Sequence, residues 1–257
     1  MRLFNASSLF DNADKEILNI ANRDILRERI IDIKKMLLKT YNFKVFNQPD
    51  DFTENSYIIA TNHLTDSDAP LIMSYYYSVM RDVKSEYPVL FVFAKENCFN
   101  GVSISKDLLP ILEMEQVFAV DRTSINGSII AIKSAQRWFA EGEKPKHFLI
   151  FAQGTIYDIN KDKAEDIEKG AFWLAKLLGI PVLPAYIEQA VEGAENRMIF
   201  GEPISVPKNC KDLDYFKQIW IDRVIQAENN LEKLTGTPAR ETVLDEAHQI
   251  RKKIQVK

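Results

Sequence analysis

The segment Thr61-Asn62-His63-Leu64-Thr65-Asp66-Ser67-Asp68 gathers a histidine, two carboxylates, an amide and three hydroxyls into eight residues, directly after the apolar run Ser56-Tyr57-Ile58-Ile59-Ala60. A histidine with a carboxylate partner can act as a general base. The carboxylate keeps one ring nitrogen as N–H and leaves the other with a lone pair able to take a proton from an alcohol. A regular helix would place His63 and Asp68 roughly 140° apart around its axis, so the two meet only if the chain turns between them. Asn62, Asp66 and Ser67 favour such a turn. The same residues also suit a helix N-terminus capped by Asn62, Thr65 or Asp66, with His63 merely partnered there. His63, Asp66 and Asp68 match the spacing of no specific metal site, and no metal is expected.

The other reactive side chains have weaker settings. His147 stands at the mouth of the run HFLIFA and reads as a loop-to-strand residue, and His248 lies in a charged tail. Cys98 has no nucleophile signature around it, and no Gly-x-Ser-x-Gly elbow is present. The triple Tyr75-Tyr76-Tyr77 suits core packing or the lining of a groove.

The elements that must position these residues follow from hydrophobic periodicity. From Ser56 to Ile204 short apolar runs recur as SYIIA, VLFVFA, QVFAV, HFLIFA, PVLPAYI and NRMIF, with helical patterns such as SINGSIIAIKSAQRWFAEG and DIEKGAFWLAKLLG between several of them. Continuous apolar runs alternating with helices predict an α/β fold, a mostly parallel sheet flanked by helices, with chemistry collecting at strand ends. FKVFN predicts a further short strand, closed by a turn at Gln48-Pro49-Asp50-Asp51. Beyond Pro207, Phe216, Trp220, Val224, Ala227, Leu231 and Leu234 share one helical face, with Gly236 and Pro238 as the stop. The predicted organisation is one domain: an N-terminal amphipathic helical segment over 1–44, an α/β core over 45–207 and C-terminal helices over 208–257 that pack on the core or trail it.

Composition narrows the function classes. At 257 residues, 46% hydrophobic and 27% charged, the chain can bury a sizeable core and is neither disordered nor a disulfide scaffold. A net charge of -4 with no basic stripe argues against nucleic-acid binding. The two cysteines suit reduced thiols in the cytoplasm. No run approaches the roughly 18 to 20 apolar residues of a spanning helix, so the chain is expected not to cross a membrane. Between Arg23 and Lys44, however, seven Lys or Arg lie on a segment whose Leu26, Ile30, Ile33 and Leu37 recur at helical spacing. Such a helix either packs its stripe on the core or lies on an anionic membrane surface.

Over about residues 45 to 205 the sequence resembles the glycerophospholipid acyltransferase family, which includes the lysophosphatidic acid acyltransferases. Asn62-His63 through Asp68 is similar to the family's Asn-His-x4-Asp block. AKENCFNGVSISKDLLPILEMEQVFAVDR resembles the segment that opens with Ala-Lys and closes on Phe118-Ala119-Val120-Asp121-Arg122. Phe151-Ala152-Gln153-Gly154-Thr155-Ile156 aligns with a block that reads Phe-Pro-Glu-Gly-Thr-Arg in the family, and Gly179-Ile180-Pro181-Val182-Leu183-Pro184 matches the fourth. The resemblance implies an O-acyltransferase with His63 as general base and Asp68 orienting it. It further implies a substrate site drawing on Asn62, Lys95, Arg122, Gln153, Gly154 and Thr155.

Arg122, and Lys95 with it, would clamp an acceptor phosphate; an ion pair with Asp121 is the other use of Arg122. Gly154 suits close backbone approach to a bound oxygen or a simple tight turn. The implied donor is acyl-CoA or acyl-carrier protein with no further cofactor, and the implied partners are a lipid acceptor and a membrane surface, the protein being cytoplasmic and peripheral. Ala152, Gln153 and Ile156 depart from the third block. Gln153 brings no negative charge and Ile156 removes a cation, which widens the acceptor from glycerol phosphate to lysophospholipids, glycolipids or another hydroxylated molecule. The same departures leave two alternatives, a lipid-binding or regulatory protein without turnover and an acyl-thioester hydrolase.

Overall fold

Burial on two faces explains why the central strands read as nearly unbroken apolar runs. The computed structural model describes residues 43–63, 68, 72, 75, 89–94, 117–120, 125–141, 145–154, 167–188 and 196–236. Among them are seven strands: β1 (Phe43–Phe46), β2 (Tyr57–Thr61), β3 (Val89–Ala94), β4 (Val117–Val120), β5 (His147–Phe151), β6 (Val182–Glu188) and β7 (Asn196–Phe200). They form one sheet in the order β1-β7-β6-β2-β5-β3-β4. Every neighbouring pair is parallel except β6 and β7. The sheet is therefore mixed and mostly parallel, as the alternating runs predict, with a reversed edge that they did not reveal. Seven residues separate Glu188 from Asn196, too few for the crossover that a parallel pair requires.

Among the described residues, α1 (Ile125–Ala140), α2 (Gly170–Leu178) and α3 (Asp214–Thr235) cover one face. Against them the sheet turns Ile58, Ala60, Phe148 and Val182, which pack with Trp138 of α1, Phe172 of α2 and Trp220 of α3. The alternate residues Tyr57, Ile59, Leu149, Phe151, Leu183 and Ile187 face the other way, onto Phe52, Ile72 and Tyr75. Burying each such side chain contributes roughly 1.5–3 kcal/mol.

Local sequence sets where the helices stop. α1 buries Ala135, Trp138 and Phe139, and its end is closed by Lys146, whose buried ammonium donates to the carbonyl oxygens of Trp138 and Glu141 and lies 4.9 Å from the Trp138 ring centroid. α2 closes on Gly179, left-handed at φ 68°, whose N–H donates to the Ala175 carbonyl at 2.8 Å. On α3 the expected stripe is buried at Phe216, Trp220, Ala227 and Leu231, but Leu234 is 55% exposed because it lies beyond Leu231, the last stripe residue held against the sheet.

Pro184 looks out of place in a central strand, since it has no N–H to donate. Pro184 pairs with Ala60 of β2, and the register Ala185↔Phe200 puts it opposite Gly201, one residue past the end of β7. Its carbonyl accepts the Gly201 N–H at 2.9 Å.

Candidate active site

The parallel register Thr61↔Phe151 makes β2 and β5 finish side by side, so Asn62-His63 and Ala152-Gln153 leave the sheet together. The Ala152 N–H donates to the Thr61 carbonyl at 2.9 Å, and the Gly154 N–H closes a turn on the Phe151 carbonyl at 3.0 Å. Gly154 has φ 71°, a conformation that a Cβ disfavours. β6 flanks β2 on the other side. Three strands thus end around His63 at their carboxyl ends, where open α/β sheets bind ligands.

Asp68 reaches His63 from a different element. Asp68, Ile72 and Tyr75 are helical, at the i, i+4, i+7 spacing of one helix face, and all three are at most 2% exposed. Packing Ile72 and Tyr75 on the sheet therefore also delivers the Asp68 carboxylate inward. His63 Nδ1 lies 3.1 Å from Asp68 Oδ2. A carboxylate there only accepts, so Nδ1 carries the hydrogen and Nε2 keeps its lone pair. The imidazole stacks on Phe151, with centroids 3.9 Å apart and planes 14° from parallel. Its side chain retains 15% exposure against 1% for Asp68, so the pair has a solvated end and a buried end. Such an arrangement can take a proton from a hydroxyl brought to Nε2.

The side-chain amides around His63 are occupied by backbone. Asn62, 5% exposed, donates from Nδ2 to the Ile187 carbonyl at 3.0 Å and accepts at Oδ1 from the Ile187 N–H at 2.8 Å and from Thr61 Oγ1 at 3.2 Å. Gln153 Oε1 accepts the His63 N–H at 2.8 Å. Of the residues that the sequence groups into a site, the structure brings Asn62, His63, Asp68, Gln153 and Gly154 to one place; Lys95, Arg122 and Thr155 lie outside the described residues. The ring platform of Phe151 was not anticipated, although its place two residues after Leu149 on the same strand face signals it. Trp220, expected on the buried stripe of the last helix, adds a bond that was not: its Nε1 donates to the Ala60 carbonyl at 3.1 Å beneath the site.

His147 sits at the opposite end of β5, fully buried, with Nε2 3.0 Å from the Asn55 carbonyl and its ring edge-on to Phe52 at 4.4 Å. Burial pushes its imidazole down to about 4, against smaller upward pulls from the backbone of Asn55 and Phe52. Among the described residues no group of three or more His, Cys, Asp or Glu is placed to hold a metal ion. Nor is any helix among them long and apolar enough to cross a membrane.

A sheet of this topology with a histidine–carboxylate pair at its carboxyl edge fits an acyl-transfer enzyme class, and comparison with known proteins agrees. The acyltransferase family model matches residues 42–188, more than half of the chain and the whole of the sheet up to β6. The chain belongs to the acyltransferase family. Comparison with curated proteins gives no match. Among solved structures it is similar to the crystal structure of the 1-acyl-sn-glycerophosphate (LPA) acyltransferase PlsC from Thermotoga maritima, with 16% identity, 88% of each chain covered and a TM-score of 0.53. That likeness concerns the fold.

Proposed function

We propose that the chain is an O-acyltransferase that moves a fatty acyl group from an acyl thioester, acyl-CoA or acyl-carrier protein, to a hydroxyl of a lysophospholipid or glycerol-phosphate-like acceptor. The observation that carries the reading is the 3.1 Å contact of His63 Nδ1 with Asp68 inside a chain of the acyltransferase family. His63 Nε2 takes the proton of the acceptor hydroxyl as its oxygen attacks the thioester carbonyl carbon. The tetrahedral oxyanion then collapses, the C–S bond breaks, and the departing thiolate receives the proton from the imidazolium. Asp68 holds the imidazole and stabilises its charged form, and no acyl-enzyme is formed.

Lys95 and Arg122 bind the acceptor's anionic group, with Gly154 and Thr155 at the oxygen being handled. The lipid acceptor is met at a membrane surface by a cytoplasmic, peripheral protein, a reading supported by the basic apolar-striped segment between Arg23 and Lys44. The test is thiol release from a long-chain acyl-CoA or acyl-carrier protein across lysophosphatidate, other lysolipids and glycolipids, beside His63→Ala. Release that needs both His63 and one acceptor supports transfer and names the substrate. Free fatty acid formed without any acceptor would mean a hydrolase, and lipid binding with no thioester consumption would mean a protein without turnover.

A further inference from the structure

We infer that Asn62 and Gln153 are positioning residues, two side-chain amides that clamp the main chain of His63 between β6 and β5 and thereby set where its ring meets the substrate. The inference rests on His63 being the base, and its test is arranged so that either can fail alone.

The clamp follows from where the sheet runs out. The β2–β6 register extends to Thr61↔Ala185 and the β2–β5 register to Thr61↔Phe151, so the chain leaves both ladders just before the histidine. A base so placed would swing with its loop. On the β6 side the Asn62 amide stands in for the missing peptide unit: its N–H meets the Ile187 carbonyl at 3.0 Å while its oxygen receives the Ile187 N–H at 2.8 Å, one donor and one acceptor just as a peptide would supply. With Thr61 Oγ1 also at 3.2 Å, Oδ1 accepts twice and has no lone pair left for a ligand. On the β5 side Gln153 Oε1 receives the His63 N–H at 2.8 Å. Phe151 beneath the ring and Asp68 at Nδ1 then fix the side chain that the two amides have anchored.

The two positions must respond oppositely to the same chemical change. Gln153 uses only its oxygen on His63, so a carboxylate there accepts the same N–H. Asn62 uses both ends, so a carboxylate there sets an oxygen lone pair against the Ile187 carbonyl at the 3.0 Å now spanned by a hydrogen bond. Amides that bound substrate by donating N–H would both be spoiled by the change. Clamp residues predict tolerance at one and damage at the other.

The experiment uses the full chain as Asn62→Asp, Gln153→Glu and Gln153→Met. For each, kcat and KM are measured by thiol release, and the ring nitrogens of His63 are followed by 15N NMR, assignable because the chain has three histidines. Gln153→Glu is expected to hold the His63 ring where the parent has it, because a carboxylate accepts the same N–H. Gln153→Met and Asn62→Asp should each lower kcat about 100-fold with KM changed less than about threefold, because a base displaced by about 1 Å costs on that order. The same two should move the His63 ring signals, while Gln153→Glu leaves them in place.

Ring signals displaced by Gln153→Glu as far as by Gln153→Met, losses in Gln153→Met and Asn62→Asp that fall on KM, or ring signals unmoved in every variant would each overturn the clamp. Should Asn62→Asp fail to fold by its thermal transition, the Glu and Met variants at 153 decide between these outcomes. Transfer that survives His63→Ala sinks the base reading instead, and the ring signals then decide the clamp alone.

Discussion

His63 and His147 lie at opposite ends of the β2–β5 pair and have opposite surroundings. His63 keeps an exposed edge and a carboxylate at Nδ1; His147 is walled in by Phe52 and Tyr57. Their substitutions should therefore separate activity from stability. His63→Ala is expected to lower transfer by about 10²–10⁴-fold while leaving the denaturation midpoint nearly unchanged, and Asp68→Asn should also lower kcat because an amide can present N–H to Nδ1 and reverse the ring tautomer. His147 predicts a pH dependence. Its folded value of about 4 lies below the ordinary 6.5, so the unfolded chain binds the proton more readily. The stability present above about pH 6.5 is lost as pH falls towards and through 4. Unfolding midpoints in urea across that window should fall in the parent and fall less in His147→Gln; parallel curves would show that this buried ring does not govern acid stability.

Two elements carry features whose cost can be measured. At the end of α2, an alanine at Gly179 would meet nothing nearer than Lys208 Cε at 3.7 Å, so Gly179→Ala is charged only for the left-handed backbone, about 1 kcal/mol. Chemical denaturation with unchanged slope is the measurement. Between β6 and β7, Glu188 and Arg197 form an ion pair with side chains 0% and 4% exposed, and Arg197 also donates to Thr235 of α3 at 3.0 Å. Glu188→Gln removes the carboxylate that faces the buried Arg197 guanidinium and should cost about 3–5 kcal/mol, whereas Glu188→Met with Arg197→Met should recover much of that loss. The central strands were the most legible in the sequence, because burial on both faces turns β2, β5 and β6 into nearly continuous apolar runs. Direction was not: NRMIF has the same composition whichever way it pairs, and only the short link before it signals the reversal. At the site, the proximity of Asn62, His63 and Asp68 could be expected from one short segment. The partners that hold Asn62 and His63 could not, since Ile187 lies 125 residues from Asn62 and Gln153 lies 90 from His63.

Across the whole molecule, the segment between Arg23 and Lys44, almost all of it outside the described residues, is where the proposed lipid contact can be tested. Removing residues 1–40 should weaken binding to vesicles containing anionic lipid more than it alters the thermal transition; equal binding by both forms would exclude that role. The strand order has a further consequence, one of timing. β2 carries the histidine and is made early, yet both strands that flank it, β5 and β6, come later in the chain. At about 5–20 residues per second, the ribosome needs roughly 6 to 25 s to add the 125 residues between Asn62 and its partner Ile187. Until β5 is made at His147–Phe151 the apolar strand YIIAT has neither neighbour, and until Ile187 is made Asn62 has no peptide to bind. The nascent chain therefore carries a strand buried along its whole length with one side or both uncovered until β6 emerges, and β2 is where chaperone capture during synthesis is expected.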